Sequence, residues 1–285
     1  GEDKRMTRKV WLPLLFVVLL SSLCFALEGT VMIFPDLIVS TPERFDSAND
    51  YPLPLLADRV LNTTWTFKWD FDSYSGDWDQ DGIGSWLKIE TISGTEIRSI
   101  EIINGYAKMW PVRYIENNAV MALIVEESSG NKQTVQFDDD CQDFQEIRLK
   151  KPSSSVKLII DDIRNGSKYN DTCIGEMAVF DTKGNDLITK WPYYVFTYGE
   201  ANRIWQVRGI DANVEYTATM SNINWAVVNS NADLLAFYGA EGVEVYDVKT
   251  GSATKLYEGK KVTSLKIEGR KVTATVEGVE QSKSF

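Results

Sequence analysis

Two polar stretches set between hydrophobic strands hold most of the side chains in this sequence that could bind a ligand. The first runs Asn104-Gly105-Tyr106-Ala107-Lys108, then Trp110 and Tyr114, to Asn117-Asn118. The second runs from Asp162 through Asn165-Gly166-Ser167-Lys168-Tyr169-Asn170-Asp171-Thr172-Cys173 to Glu176. A connection that only reverses the chain is usually a short Gly, Asn or Asp turn. These connections are longer, and they mix amide, ammonium and carboxylate groups that hydrogen-bond hydroxyls with aromatic faces that stack on the apolar side of a sugar ring. Asn104, Tyr106, Lys108, Trp110, Tyr114, Asn117, Asn118, Lys168, Tyr169 and Asp171 are therefore the candidate glycan-binding residues. A network that merely braces two loops is an equally weighted alternative, because buried polar groups must be paired. Trp110 and Tyr114 lack the alternation of core strand residues, which favours a place at the ligand.

The rest of the sequence is chemically sparse. It has no histidine, so Ser-His-Asp and Cys-His catalysis and histidine metal ligands are excluded. Asp77-Trp78-Asp79-Gln80-Asp81-Gly82 has the D-x-D-x-D-G opening of a calcium loop, but Lys88 stands where the closing bidentate Glu belongs. It reads first as a solvated acidic loop and second as a loose Ca²⁺ site on Asp77, Asp79 and Asp81. Asp138-Asp139-Asp140 reads as a solvated turn. No spacing singles out a carboxylate pair for glycoside hydrolysis. Asn62, Asn165 and Asn170 each begin an N-x-Ser/Thr triplet. A net charge of −11 argues against nucleic-acid binding, which needs a Lys/Arg stripe.

The elements that must carry these loops are short strands. Leu87 and Ile89, Ile100 and Ile102, Met121 with Leu123 and Val125, Val135 and Phe137, Ile147 and Leu149, and Val156, Leu158 and Ile160 each fall on one face of an alternating segment. A last strand is expected over 174–180. Such spacing, without a sustained helical period, predicts an all-β jelly-roll sandwich. Beyond Asp181-Thr182-Lys183-Gly184-Asn185 the texture becomes more repetitive. Strands are expected at 234–238, 243–248, 254–257, 262–267 and 272–276, between Gly-bearing turns. This second, smaller all-β module at 186–285 has a propeller-blade-like stretch at Val245-Tyr246-Asp247-Val248-Lys249-Thr250-Gly251, yet about 100 residues cannot close a propeller of four or more blades. Residues 38–64, with Pro42, Pro52 and Pro54, read as irregular lead-in, and 27–37 as a linker.

The amino-terminal stretch reads as an export signal. Lys4, Arg5, Arg8 and Lys9 precede an apolar run from Trp11 to Phe25 that ends in Cys24-Phe25-Ala26. Cleavage after Ala26 gives a secreted or extracytoplasmic protein, in the periplasm or at the cell surface. An uncleaved leader gives a membrane-anchored one. Cys141 and Cys173 read first as two buried thiols and second as a bridge.

Residues 38–181 resemble the NADase-type glycan-binding domain, a discoidin-like, galactose-binding-like jelly roll. The resemblance rests on Ile103-Asn104-Gly105-Tyr106-Ala107-Lys108 with Tyr114 and Asn117-Asn118, and on Gly166 through Glu176. Asp58 with Asn62-Thr63-Thr64-Trp65, and Ile83-Gly84-Ser85-Trp86-Leu87, add to it. It implies non-catalytic recognition of a glycan or cell-surface polysaccharide. By analogy with discoidin-like lectins it also implies a structural Ca²⁺ held by Asp58, Thr63 and Glu176. The rival expectation is an envelope scaffold whose carboxy-terminal strands dock a protein partner. A hydrolase acting through acids alone comes third. Glycan binding predicts an exposed aromatic beside the two loops. A scaffold predicts an exposed apolar patch within 186–285, and a hydrolase two carboxyls facing each other across a cleft.

Overall fold

The computed structural model describes residues 29–41, 53–66, 82–92, 94–188, 193–197, 203–207, 213–217 and 223–285. The leader at 1–26 and the acidic loop with Asp77, Asp79 and Asp81 lie outside the described residues. Among the described residues nearly every element is a strand, and no helix is long and apolar enough to cross a membrane.

Alternation builds a sandwich from β1 (Thr30–Ile33), β2 (Leu37–Thr41), β3 (Trp65–Thr66), β4 (Trp86–Thr91), β5 (Ile97–Ile103), β6 (Asn118–Glu127), β7 (Lys132–Gln136), β8 (Gln145–Ser153), β9 (Ser155–Arg164), β10 (Thr172–Ile174) and β11 (Glu176–Asp181). One layer contains β1-β2-β4-β9-β6-β10-β3, with β7 beside β6, and the other is β11-β5-β8. Leu87 and Ile89, Ile100 and Ile102, Ile147 and Leu149, and Val156, Leu158 and Ile160 meet in one core between the layers. Burying each such side chain contributes roughly 1.5–3 kcal/mol. Ile159, the residue that breaks the alternation of β9, is only half-buried.

Three expectations are corrected. Met121 does not share a face with Leu123 and Val125. The register between β6 and β9 shifts on either side of Ala122, so Val120, Leu123 and Val125 face the main core. Met121 packs instead with Ile103, Tyr114, Ala119 and Cys141. An irregularity of this kind re-aims side chains that strict alternation would align. The strand expected at 174–180 is two strands in different layers. At Gly175 the chain crosses from one layer to the other, so close to the first polar loop that a Cβ there would lie 2.8 Å from the Gly105 carbonyl. Of the expected 27–37 linker the described residues 29–37 are not a linker, nor is 38–41 irregular, because β1 and β2 form a hairpin buried on both faces. Met32, Phe34, Leu37 and Val39 enter the sandwich core, while Val31, Ile33 and Ile38 pack on Ala226, Val228, Leu235 and Phe237.

That hairpin also joins the two halves. β12 (Tyr193–Thr197) pairs with β1, and β13 (Arg203–Val207) and β14 (Asn213–Thr217) continue the same sheet. β15 (Ile223–Val228), β16 (Leu234–Gly239), β17 (Gly242–Asp247) and β18 (Ser252–Leu256) form a four-stranded antiparallel meander, the composition of a propeller blade. β19 (Val262–Glu268), β20 (Lys271–Val276) and β21 (Val279–Ser284) form a three-stranded sheet packed on it. The expected strands from 234 to 276 all occur. Arg270 bonds Asp247 and lies 3.3 Å from Asp233, whose Oδ1 accepts from Asn229 Nδ2, so one part-buried polar cluster ties these two sheets.

Candidate functional site

The two polar loops meet at one end of the sandwich, and backbone hydrogen bonds hold them together. The first loop contains the short helix α1 (Val112–Glu116). A helix leaves its last carbonyls without partners, and here the second loop supplies them. Ser167 N–H donates to the Ile115 carbonyl at 2.9 Å, and the N–H groups of Lys168 and Tyr169 donate to the Glu116 carbonyl at 3.2 and 2.8 Å. Gly166 makes this approach possible. A Cβ there would stand 2.5 Å from both the Glu116 and Tyr169 carbonyl oxygens. Gly166→Ala should therefore force the loops apart and cost about 1–3 kcal/mol, read as a lowered urea midpoint with an unchanged m-value.

Five of the ten candidate glycan residues are buried, away from the solvent-facing surface, and four of these, Asn104, Asn118, Asn117 and Tyr114, make bracing hydrogen bonds. Asn104 is fully buried, and its Nδ2 donates to the carbonyls of Val120 and Asp138, both at 3.0 Å. Asn118 Nδ2 donates to the Asn170 carbonyl and Thr172 Oγ1, while its Oδ1 accepts from Gly166 N–H at 2.7 Å. Asn117 Nδ2 donates back to the Arg113 carbonyl at 2.7 Å. Tyr106 is buried. Tyr114, expected at the ligand, lies inward on α1. Its hydroxyl donates to Asp139 Oδ1 at 2.8 Å, and the Arg164 guanidinium covers its ring at 4.3 Å. Burial first, and the Asp139 bond second, hold its phenol above the usual range. For the three asparagines the physical reason is shared: amides at a loop junction satisfy backbone groups that are cut off from water.

The other five form the solvent-facing rim. Lys108 is exposed and has no ion pair among the described residues. Trp110 is 36% exposed and leans on Tyr114 with ring centroids 4.9 Å apart. Tyr169 is 37% exposed, with Lys168 Nζ 4.8 Å from its ring centroid. Lys168 first, and Arg113 second, draw the Tyr169 phenol below its ordinary range. Asp171 is half-buried, and burial raises its carboxyl.

The structure adds residues that the sequence reading passed over. Arg113 lies 2.9 Å from Glu116 Oε2, and Lys168 lies 3.6 Å from Glu116 Oε1, so one carboxylate holds two cations. Met109, Val112 and Ile115 are exposed on the same loop, although their three-residue spacing would ordinarily mark the buried face of a helix. Met109 adopts φ 52°, the left-handed region that a non-glycine residue seldom occupies. The one sequence signal for this outward apolar edge is Pro111, which starts a helix too short to bury both faces.

A second cluster lies below the loops. Asp58 and Glu176 are both buried, Thr63 Oγ1 lies 3.0 and 2.9 Å from the two Asp58 oxygens and 2.6 Å from the Val60 carbonyl, and Val60 N–H lies within bonding distance of Asp58 Oδ1 and Glu176 Oε1. Glu176 Oε2 is buried without a hydrogen-bond partner. Burial first, then the Asp58 carboxylate, push the Glu176 carboxyl up to about 9. An orphaned carboxylate oxygen beside a second carboxylate and a hydroxyl is a donor set that suits a hard cation. These two carboxyls meet in the interior and do not face each other across an open cleft.

Cys141 and Cys173 are two buried free thiols. Burial pushes Cys141 up to about 12 and raises Cys173 as well. Both thiols should stay unlabelled by iodoacetamide in the native protein at pH 8 and react fully in denaturant, since the thiolate is the reactive form. Within 186–285, among the residues whose burial is described, the one exposed large hydrophobic residue is Val279.

Residues 48–180 match the family described as the NAD glycohydrolase translocation F5/8 type C domain, so the discoidin-like resemblance read from the motifs holds over that segment. No curated protein matches the sequence. Among solved structures, the family 32 carbohydrate-binding module of C. perfringens NanJ, in complex with galactose, is similar at 15% identity with a TM-score of 0.35. That alignment covers 53% of this chain and 98% of the module. The family 32 module of Streptococcus pneumoniae EndoD is similar at 10% identity with a TM-score of 0.36, covering 55% of this chain and 99% of the module. The mycobacterial arabinofuranosyltransferase AftD is similar at 11% identity with a TM-score of 0.39, covering 82% of this chain and 16% of that protein.

Proposed function

We propose that this chain, whose residues 48–180 match a discoidin-like translocation domain, is an exported, non-catalytic glycan-binding protein. The observation that carries this reading is the rim where the two loops meet. There two exposed aromatics, Trp110 and Tyr169, stand beside Lys108, Arg113, Lys168 and the half-buried Asp171. Aromatic faces take the C–H side of a sugar ring, and the charged groups hydrogen-bond its hydroxyls. The buried Asn104, Asn117 and Asn118 hold this rim in place before any ligand arrives, which lowers the ordering cost of binding. Few contacts reach a single sugar, so useful affinity comes from a long glycan or from several sites at once.

A Ca²⁺ ion held by Asp58, Thr63 and Glu176 belongs to the same proposal. It would supply the positive charge that two adjoining buried carboxylates need, and it would stiffen the loop base without touching sugar.

The test is a broad glycan array probed with the whole chain, in calcium and in chelator, beside Trp110→Ala/Lys168→Ala. Binding that falls about tenfold or more in the double variant, with thermal stability unchanged, supports the rim as the site; tenfold corresponds to about 1.4 kcal/mol. Folded protein that binds nothing on the array overturns the reading.

A further inference from the structure

We infer that the ligand of this rim is an acidic glycan, one carrying a carboxylate or sulfate, and that Arg113, Lys168 and Lys108 select it. The inference rests on the glycan reading above and narrows its ligand class. The charge distribution carries it. The chain as a whole is strongly acidic, at −11, which repels anions from most of its surface. Where the two loops meet, Arg113 and Lys168 share one carboxylate, Glu116.

Two acids beside the exposed cations are ion-paired, Glu116 and Asp139, and a third, Asp171, is half-buried. Glu116 is shared between Arg113 at 2.9 Å and Lys168 at 3.6 Å, so two cations stand against one carboxylate. Asp139 accepts from Arg164 Nε at 2.9 Å and from the Tyr114 hydroxyl. Asp171 is half-buried, and its carbonyl accepts from Asn118 N–H. Lys108 adds a further cation that no described acid neutralises. Two cations against the single Glu116 carboxylate leave an excess of positive charge beside the exposed Tyr169 ring.

Geometry supports the same class of ligand. Lys168 and Arg113 flank Tyr169, and Lys168 lies 4.8 Å from that ring's centroid. Both cations keep side-chain surface in solvent, 56% for Lys168 and 37% for Arg113, so neither is committed wholly to Glu116. Arginine presents a planar fork that pairs with a carboxylate or sulfate through two parallel N–H bonds. A neutral sugar would leave that fork to hydroxyls, which bind it less strongly.

The decisive experiment uses the whole chain on a panel in which each uronate-, sialate- or sulfate-bearing glycan is paired with its uncharged parent. The rim variants are Arg113→Gln, Lys168→Gln and Lys108→Gln, and binding is measured from low to high salt. The expected result is binding to at least one acidic member about tenfold or more above its neutral parent. That preference should shrink with added salt and fall several-fold in each variant, while folding is unchanged by circular dichroism. Binding to neutral parents as tight as to their acidic partners would overturn the acidic ligand and leave the glycan reading standing. Absence of binding to every member, charged or neutral, would overturn both. An acidic preference that survives in all three variants would overturn the assignment to these cations.

Discussion

Replacing Asn118 by alanine should unfold the site without removing any group that touches a ligand. Asn118 is buried at the junction of the two loops, where its one side chain satisfies the Asn170 carbonyl, Thr172 Oγ1 and the Gly166 N–H. Alanine removes all three bonds at a part-buried junction, and each buried group left unsatisfied costs about 1–3 kcal/mol. Partial relaxation brings the expected loss to roughly 3–4 kcal/mol, near the upper end for single substitutions. A loss of that size lowers the melting temperature by roughly 6–16 °C for a domain of this size. Asn118→Asp should be no rescue. Its carboxylate still accepts from Gly166 N–H, but it cannot donate and would face the Asn170 carbonyl oxygen. Trp110→Ala provides the contrast, because Trp110 stands at the surface, where its ring leans on Tyr114 and makes no hydrogen bond among the described residues. That variant should lose ligand with little change in melting temperature. If Asn118→Ala melted like the wild type, the bracing role of the buried amides would be wrong.

This contrast shows which parts of the site were legible in the sequence. Residue type and loop length were enough to point to the two loops, since a polar run between alternating strands has few other uses. They were not enough to separate braces from contacts. Asn104 and Lys108 sit four positions apart in one motif, yet one is fully buried and the other is exposed. That difference is set by distant segments: the Asn104 amide meets the carbonyls of Val120 and Asp138, 16 and 34 residues further along the chain. Tyr114 misled for a related reason. Its lack of strand alternation was real, but a single helical turn turned it inward onto Asp139 and Arg164.

The fold was more legible because alternation reports directly on burial. The strands from Leu87 to Ile160 follow it closely, and the carboxy-terminal strands lie where their Gly-bearing turns put them. The hairpin of β1 and β2 was missed because it is buried on both faces. A strand covered on both sides shows a continuous apolar run with no period to detect. Read as a linker, Thr30–Ile33 conceals the element that joins the sandwich to the sheets beyond residue 186.

Calcium should stabilise this protein strongly at pH 8 and weakly at pH 5, and Glu176→Gln should abolish the difference. Without metal, burial and the Asp58 carboxylate keep a proton on Glu176 up to about pH 9, whereas the ordinary value is 4.5. The folded state thus binds more protons than the unfolded chain across that window. Its stability is full below about pH 4.5 and declines as pH rises towards about 9. Calcium must displace that proton, so its apparent affinity should rise about tenfold per pH unit within the window. With calcium at about 100 times its dissociation constant, the gain is about 2.7 kcal/mol, or roughly 5–11 °C in melting temperature. In Glu176→Gln no proton is exchanged and one ligand charge is gone. The chelator-treated variant should then match or exceed the wild type at pH 8–9 and fail to respond to calcium. Melting curves at pH 5, 7 and 8.5, in calcium and in chelator, read all of these effects. A wild type whose chelated stability rises from pH 5 to 8.5 would show that Glu176 is ionised in the fold. An equal calcium response in wild type and Glu176→Gln would place any calcium elsewhere than on Asp58, Thr63 and Glu176.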